Sequence, residues 1–276
     1  TVERLATSES TLKSMNAITL IGNEVSAGNI NANGLVTIQN SSNSSINGII
    51  RDVSSSVSLA KTGSGTLTLS GVNTYTGTTT ISAGILSVAT IGNGGVAGNL
   101  GKATNAAANL VLAGGTLQYT GTTASTDRNF TLTTGSTSKI DVNNAGATLT
   151  IAGASINTTG SLTKEGVGTL ELTGTNLHTG TTTVSAGTLK VNIGVLSNST
   201  ISVSEGAFCI GTACATNIYL VIGSDQSTIY GEEYALAYYL STSPTDYTAG
   251  VGSTGLLTSA YYFTAGATSY SPSITD

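Results

Sequence analysis

The chain has 276 residues, of which only 8% are charged, and its net charge is −5 with the nine basic residues scattered singly. That distribution offers no basic stripe for phosphates and no polybasic patch for a membrane surface, which excludes nucleic-acid binding and electrostatic membrane docking. With no Trp, three Phe and two Pro there is little to fill a thick globular core, yet Leu, Ile and Val recur periodically, as they do not in a disordered polar segment.

Residues 1–16 hold Glu3, Arg4, Glu9 and Lys13, with Leu5, Leu12 and Met15 between them. This spacing predicts a short amphipathic helix or a loose arm covering the first exposed sheet edge. The chain opens on Thr1 without a charged-then-apolar leader, so it reads as a mature or excised product. From Ile18 the pattern becomes that of strands: AITLIG, GLVTIQN, SSINGII and SVSLA, each bounded by Asn, Ser or Gly.

Residues 61–88 read KTGSGTLTLSGVNTYTGTTTISAGILSV, and residues 164–191 read KEGVGTLELTGTNLHTGTTTVSAGTLKV; 18 of 28 positions are identical without a gap. This is an internal repeat. Leu67, Leu69, Ile81, Leu86 and Val88 alternate with Thr and Ser, as do Leu170, Leu172, Val184, Leu189 and Val191, which is the period of strands with one buried face. Glycines stand at the corners between them. Short strands joined by repeated corners predict an all-β, parallel β-solenoid in which each rung pairs with the next.

Between the copies, residues 89–109 (ATIGNGGVAGNLGKATNAAAN) replace alternation with Gly, Asn and Ala and predict a loop that leaves the solenoid body and could bind a ligand. Strands resume at LVLAGG, TLQYTG, RNFTLTTG, SKIDVNN and ATLTIAG. After the second copy comes ISVSEGAF, followed by Cys209 and Cys214 in CIGTAC. A local disulfide, a pair of free thiols in a reduced protein, and a metal or redox site are the readings of this pair. No further Cys or nearby His completes a ligand set.

Beyond about residue 217 the composition shifts, because nine of the eleven tyrosines fall between Tyr219 and Tyr270. We read three regions: a cap with early strands at 1–60, a solenoid at 61–217, and a separate Tyr-rich β region at 218–276 that caps the solenoid or forms an interface. Tyr219, Tyr230, Tyr234, Tyr238, Tyr239, Tyr261, Tyr262 and Phe263 are the interface candidates, and self-association through this end is expected. Residues 247–275 carry no charge but are too rich in Gly, Ser and Thr for a spanning helix, and a barrel of eight or more strands does not fit in this tail, so no membrane insertion by this chain alone is expected.

Chemistry is thinly supported. The acids are dispersed; Glu232 and Glu233 are neighbours, and Glu165 and Glu171 stand where the first copy has Thr62 and Thr68. Glu205, Asp225 and Asp246 are spaced by about one rung each and form a weak candidate cation site. The single histidine, His178, stands where the first copy has Tyr75 and reads as an exposed turn residue. No catalytic residue and no cofactor are assigned.

The run GSGTLTLSGVNTYTGTTTISAGIL and its echo, with NLVLAGGTLQYTG and STDRNFTL between them, resembles the autotransporter-associated β-strand repeat of bacterial autotransporter passengers. The resemblance implies a right-handed β-helix displayed outside a bacterial cell, and it brings no shared catalytic residues. The expected role is that of a non-enzymatic extracellular surface protein, structural or adhesive, with a host or glycan ligand. The alternatives are a self-assembling subunit of an extracellular filament or sheath, and a carbohydrate-active enzyme or glycan-binding module, which would need Glu205, Asp225 and Asp246 to converge.

Overall fold

The computed structural model describes residues 11–13, 17–192, 195–196 and 198–210, and beyond these the backbone of four short strands at 213–216, 219–220, 260–261 and 274–275. The described chain is a parallel β-solenoid, with one 3-10 turn at Ala107–Asn109 interrupting its strands. Three sheets, of seven, ten and six strands, run along it. A single turn of the chain shows how they are visited: Leu110–Leu112 lies in the seven-stranded sheet, Thr116–Tyr119 in the ten-stranded sheet and Ala124–Thr126 in the six-stranded sheet, and Thr131–Leu132 returns to the first. The solenoid is therefore three-faced.

Each strand is short because its alternation lasts only as long as one face. In Thr66–Leu69 the leucines are buried and the threonines half-buried, and the same alternation holds in Thr148–Ile151, Thr169–Leu172 and Thr188–Val191. Parallel pairing in register then stacks like on like. Leu67 pairs with Leu86, Leu86 with Leu117 and Leu117 with Ile140; on the six-stranded sheet Leu149, Leu170, Leu189 and Phe208 form a second column. Each fully buried aliphatic side chain contributes about 2 kcal/mol. Ten strands at the usual strand spacing make a ladder of about 43 Å.

The two copies of the repeat do not occupy the same faces. In the first, Lys61 and Ile81 lie in the seven-stranded sheet, and Thr66–Leu69 and Ile85–Val88 in the ten-stranded sheet. In the second, Lys164 and Val184 lie in the ten-stranded sheet, and Thr169–Leu172 and Thr188–Val191 in the six-stranded sheet. The second copy is turned one face around the rod.

At the far end the parallel rule stops. Ala213–Thr216 pairs antiparallel with Ala207–Ile210, placing Cys214 opposite Cys209, and Tyr219–Leu220 pairs antiparallel with Ile201–Val203. Ala260–Tyr261 and Ile274–Thr275 form a separate antiparallel pair. At the near end, Leu12–Lys13 is a strand paired in parallel with Ile30–Asn31; this overturns a helix at that point, because the sheet edge offers the backbone partners that a solitary turn lacks. The rest of 1–16 lies outside the described residues apart from Thr11.

Candidate functional surface

Each copy opens on Lys-x-Gly-x-Gly, and the fold shows why. Lys61 alternates with outward residues of its strand and so points into the core, where it is fully buried. Its ammonium donates to the carbonyls of Thr62 (2.6 Å) and Gly63 (2.7 Å) in its own corner and of Ala83 (3.2 Å) in the corner of the next rung. Lys164, equally buried, donates to the carbonyls of Glu165, Gly166 (2.7 Å) and Ala186 (3.2 Å). Each ammonium thus fastens two successive corners. Burial pushes both amines down to about 8, which leaves them protonated at neutral pH. Gly84 is at φ +63 and Gly187 at φ +61, left-handed values that favour glycine; a Cβ on Gly84 would also stand 2.8 Å from the Lys61 amine.

Residues 89–109 do not leave the body of the solenoid. They fold back across its third side and bury Ile91, Asn99, Leu100 and Ala103. The cause is Arg128, itself buried, whose guanidinium donates to the carbonyls of Gly92 (2.9 Å), Gly101 (2.9 Å), Ala103 (3.2 Å) and Asn93 (3.4 Å). Burial lowers the pKa of this guanidinium, and nearby Tyr75 and Asp127 oppose that shift. Asp127 accepts from the Gly94 amide at 2.7 Å, and Asn99 accepts from the amides of Ala89 (3.1 Å) and Thr90 (2.9 Å) while donating to Gly71. Gly101, at φ +71, lies so close to the Tyr75 ring that a Cβ would come within 2.6 Å of it. The expected protrusion is a pinned belt because one cation satisfies four of its carbonyls.

His178 is not an exposed turn residue. It is fully buried, as is Tyr75 at the matching position of the first copy. The Tyr75 hydroxyl lies 2.7 Å from Thr79 Oγ1, and His178 Nε2 lies 2.9 Å from Thr182 Oγ1, so both rings span the same corner to the same threonine. A polar residue in a Gly-bounded segment reads as surface from sequence, but here the corner is wide enough to admit a ring. Burial pushes Tyr75 up to about 12 and His178 down to about 4.

The outward faces carry polar ladders. Lys139 and Glu165 pair at 2.7 Å, and Lys190 and Glu171 pair at 2.8 Å. Glu171 also accepts from Thr150 at 2.9 Å; the bonds from Lys190 and Thr150 hold its carboxyl below the usual range. These partly exposed pairs are each worth little, about 0.2–1 kcal/mol.

Of the candidate cation ligands, Glu205 is exposed in the corner between Ile201–Val203 and Ala207–Ile210, and Asp225 and Asp246 lie outside the described residues. Among the described residues no group of three or more His, Cys, Asp or Glu is placed to hold a metal ion. Cys209 is buried and disulfide-bonded. Tyr219 and Tyr261 fall in two-residue strands, and Tyr230, Tyr234, Tyr238, Tyr239, Tyr262 and Phe263 lie outside the described residues. The residues missed in the sequence are Lys61, Lys164 and Arg128. One signal for the lysines was available, since Lys is the one charged residue among the positions identical in both copies.

Fold and surface together define a parallel β-solenoid carrying a duplicated lysine-cornered unit. Residues 59–88 and 162–191 match the passenger-associated-transport-repeat family, so the two matches fall on the two copies of the duplicated unit. Over 127 residues the chain is 54% identical to the adhesin BmaC autotransporter of Brucella suis biovar 1 (strain 1330); the match covers 46% of this chain and 4% of that protein. No solved structure matches the chain significantly.

Proposed function

We propose that the chain is a segment of a bacterial autotransporter passenger, exposed at or beyond the cell surface, where it serves adhesion as a stiff rod. The observation that carries this reading is the 54% identity to a protein named as an autotransporter adhesin. The two passenger repeats and the three-faced solenoid support it. Contact would come from polar ladders and corners along the rod, many shallow interactions with a host protein or glycan.

A non-enzymatic role agrees with the placement of the single histidine, which is buried with both ring nitrogens engaged by hydroxyls and cannot reach a substrate. Among the described residues no helix is long and apolar enough to cross a membrane. The Tyr-rich end remains the proposed self-association surface, and the Cys209–Cys214 disulfide the proposed staple of the last rung.

The test is adhesion of beads coated with the purified chain to host epithelial cells, with beads carrying an unrelated solenoid as control, alongside antibody labelling of intact bacteria that produce the protein. Saturable binding above the control, with labelling of unpermeabilised cells, is the expected result. Labelling without adhesion would reduce the role to that of a spacer, and failure to label would overturn surface exposure.

A further inference from the structure

The two repeats differ at one buried position in a way that outward position cannot explain. Around His178 the hydrogen bonds define a single direction. Ser155 Oγ accepts from the backbone amides of Leu177 (3.1 Å) and His178 (3.4 Å), so its own hydroxyl is the donor to His178 Nδ1, 3.0 Å away. Nδ1 is then an acceptor, and the ring of the neutral tautomer donates from Nε2 to Thr182 Oγ1 at 2.9 Å. The Thr182 hydroxyl passes to Ser199 Oγ at 2.8 Å, and Ser199 donates to the Gly180 carbonyl. Ser155, His178, Thr182 and Ser199 are all buried. They come from successive rungs, so the relay ties the second repeat to the rung before it and the rung after it.

A proton added at Nδ1 breaks this order. It sets an N–H against the Ser155 hydroxyl, whose lone pairs already accept two amides, and it places a charge where the facing groups, from Ser155, Thr182 and Ser199, are uncharged hydroxyls. Among the described residues no ionisable group offsets the cost; burial is the one cause of the shift in this ring. The first repeat holds Tyr75 in the same place, and that group has no proton to gain.

We propose that His178 makes the second repeat an acid-triggered opening unit, so that on entering an acidic environment the rungs around residues 155–203 loosen while those of the first repeat stay closed. The sign follows from linkage. With a folded-state value of about 4 against 6.5 in the open chain, the open form binds more protons below pH 6.5, and stability is lost as pH falls from 6.5 toward 4 and is restored on neutralisation. Relative to pH 7 the opening equilibrium rises about 20-fold by pH 5 and about 120-fold by pH 4.

The test is amide hydrogen exchange of the whole chain at pH 7, 6 and 5, corrected for intrinsic rates, beside the NMR titration of the lone imidazole. Protection in 155–203 is expected to fall by about 20-fold between pH 7 and 5, with protection in 59–112 unchanged, and with the folded-state imidazole resonance holding its neutral position throughout. His178→Tyr, which copies the first repeat, should remove the difference between the two segments. Equal loss in both segments would overturn the proposal. So would an imidazole that titrates at its ordinary value in the folded chain, a reading on the unmutated protein that stands even if the variant does not fold.

Discussion

Lys61 and Lys164 show a charged side chain used as a fastener in a core made of aliphatic columns. An ammonium brings three donors to a place where two corners leave carbonyls facing inward, and an apolar residue could fill the space but would leave those acceptors without a donor. Lys61→Met is therefore expected to lower stability by about 2 kcal/mol, and Lys164→Met by a similar amount, as read from urea midpoints; unchanged midpoints would show that water takes over the bonds. Strand alternation puts both lysines on the inward face, a consequence that was not drawn from the sequence. What the spacing could not reveal was that the cage existed, since it forms only when the next rung brings Ala83 or Ala186 alongside. The same holds for Tyr75 and His178, whose burial depends on a corner shape that no local pattern encodes.

Segments behave by what anchors them. Residues 89–109 have the composition of a free loop, which suggested a protrusion from the solenoid body, but the partner that ties them down is Arg128, about thirty residues further along the chain. An Arg within an otherwise strand-like run of a low-charge sequence was the available hint, and nothing in its neighbours indicated its target. Arg128→Leu should leave the solenoid strands intact while opening this belt, so limited proteolysis is expected to cut within 89–109 in the variant and to spare it in the native chain. Sparing of both alike would mean that Asp127 and Asn99 hold it unaided, and cutting of both would mean that the belt is not pinned. At the final rung, Cys209 faces Cys214 across an antiparallel pair. The proposed disulfide closes a six-residue ring, worth about 2 kcal/mol at most. Replacing both cysteines by serine should accelerate exchange of amides in Ala207–Ile210 and leave Leu110–Leu112 unaffected.

Along the described solenoid each rung pairs with its neighbours, so stability is close to a sum of rung and interface terms. Register makes this testable. Lys164 pairs with Val184, so deletion of residues 164–183 joins Thr163 to the strand that would have followed one turn later. The shortened chain should fold with the same circular dichroism per residue and a lower denaturation midpoint, whereas an unfolded product would show that the removed rung nucleates its neighbours. The solenoid class was readable from alternation and repetition because both are local. The angular placement of the copies was not, because it depends on how many faces the intervening turns traverse.

That placement bears on how many partners the rod can meet. A duplicated sequence invites the idea of doubled valency, with two identical epitopes lined up toward one opposing surface. Here the copies look outward in different directions, since the one turned toward a flat membrane or matrix leaves its twin facing sideways. Equivalent corners can be engaged together only by a partner that wraps around the shaft, or by two partners approaching from different sides. Duplication in this chain therefore widens its angular coverage and does not multiply grip on a single plane.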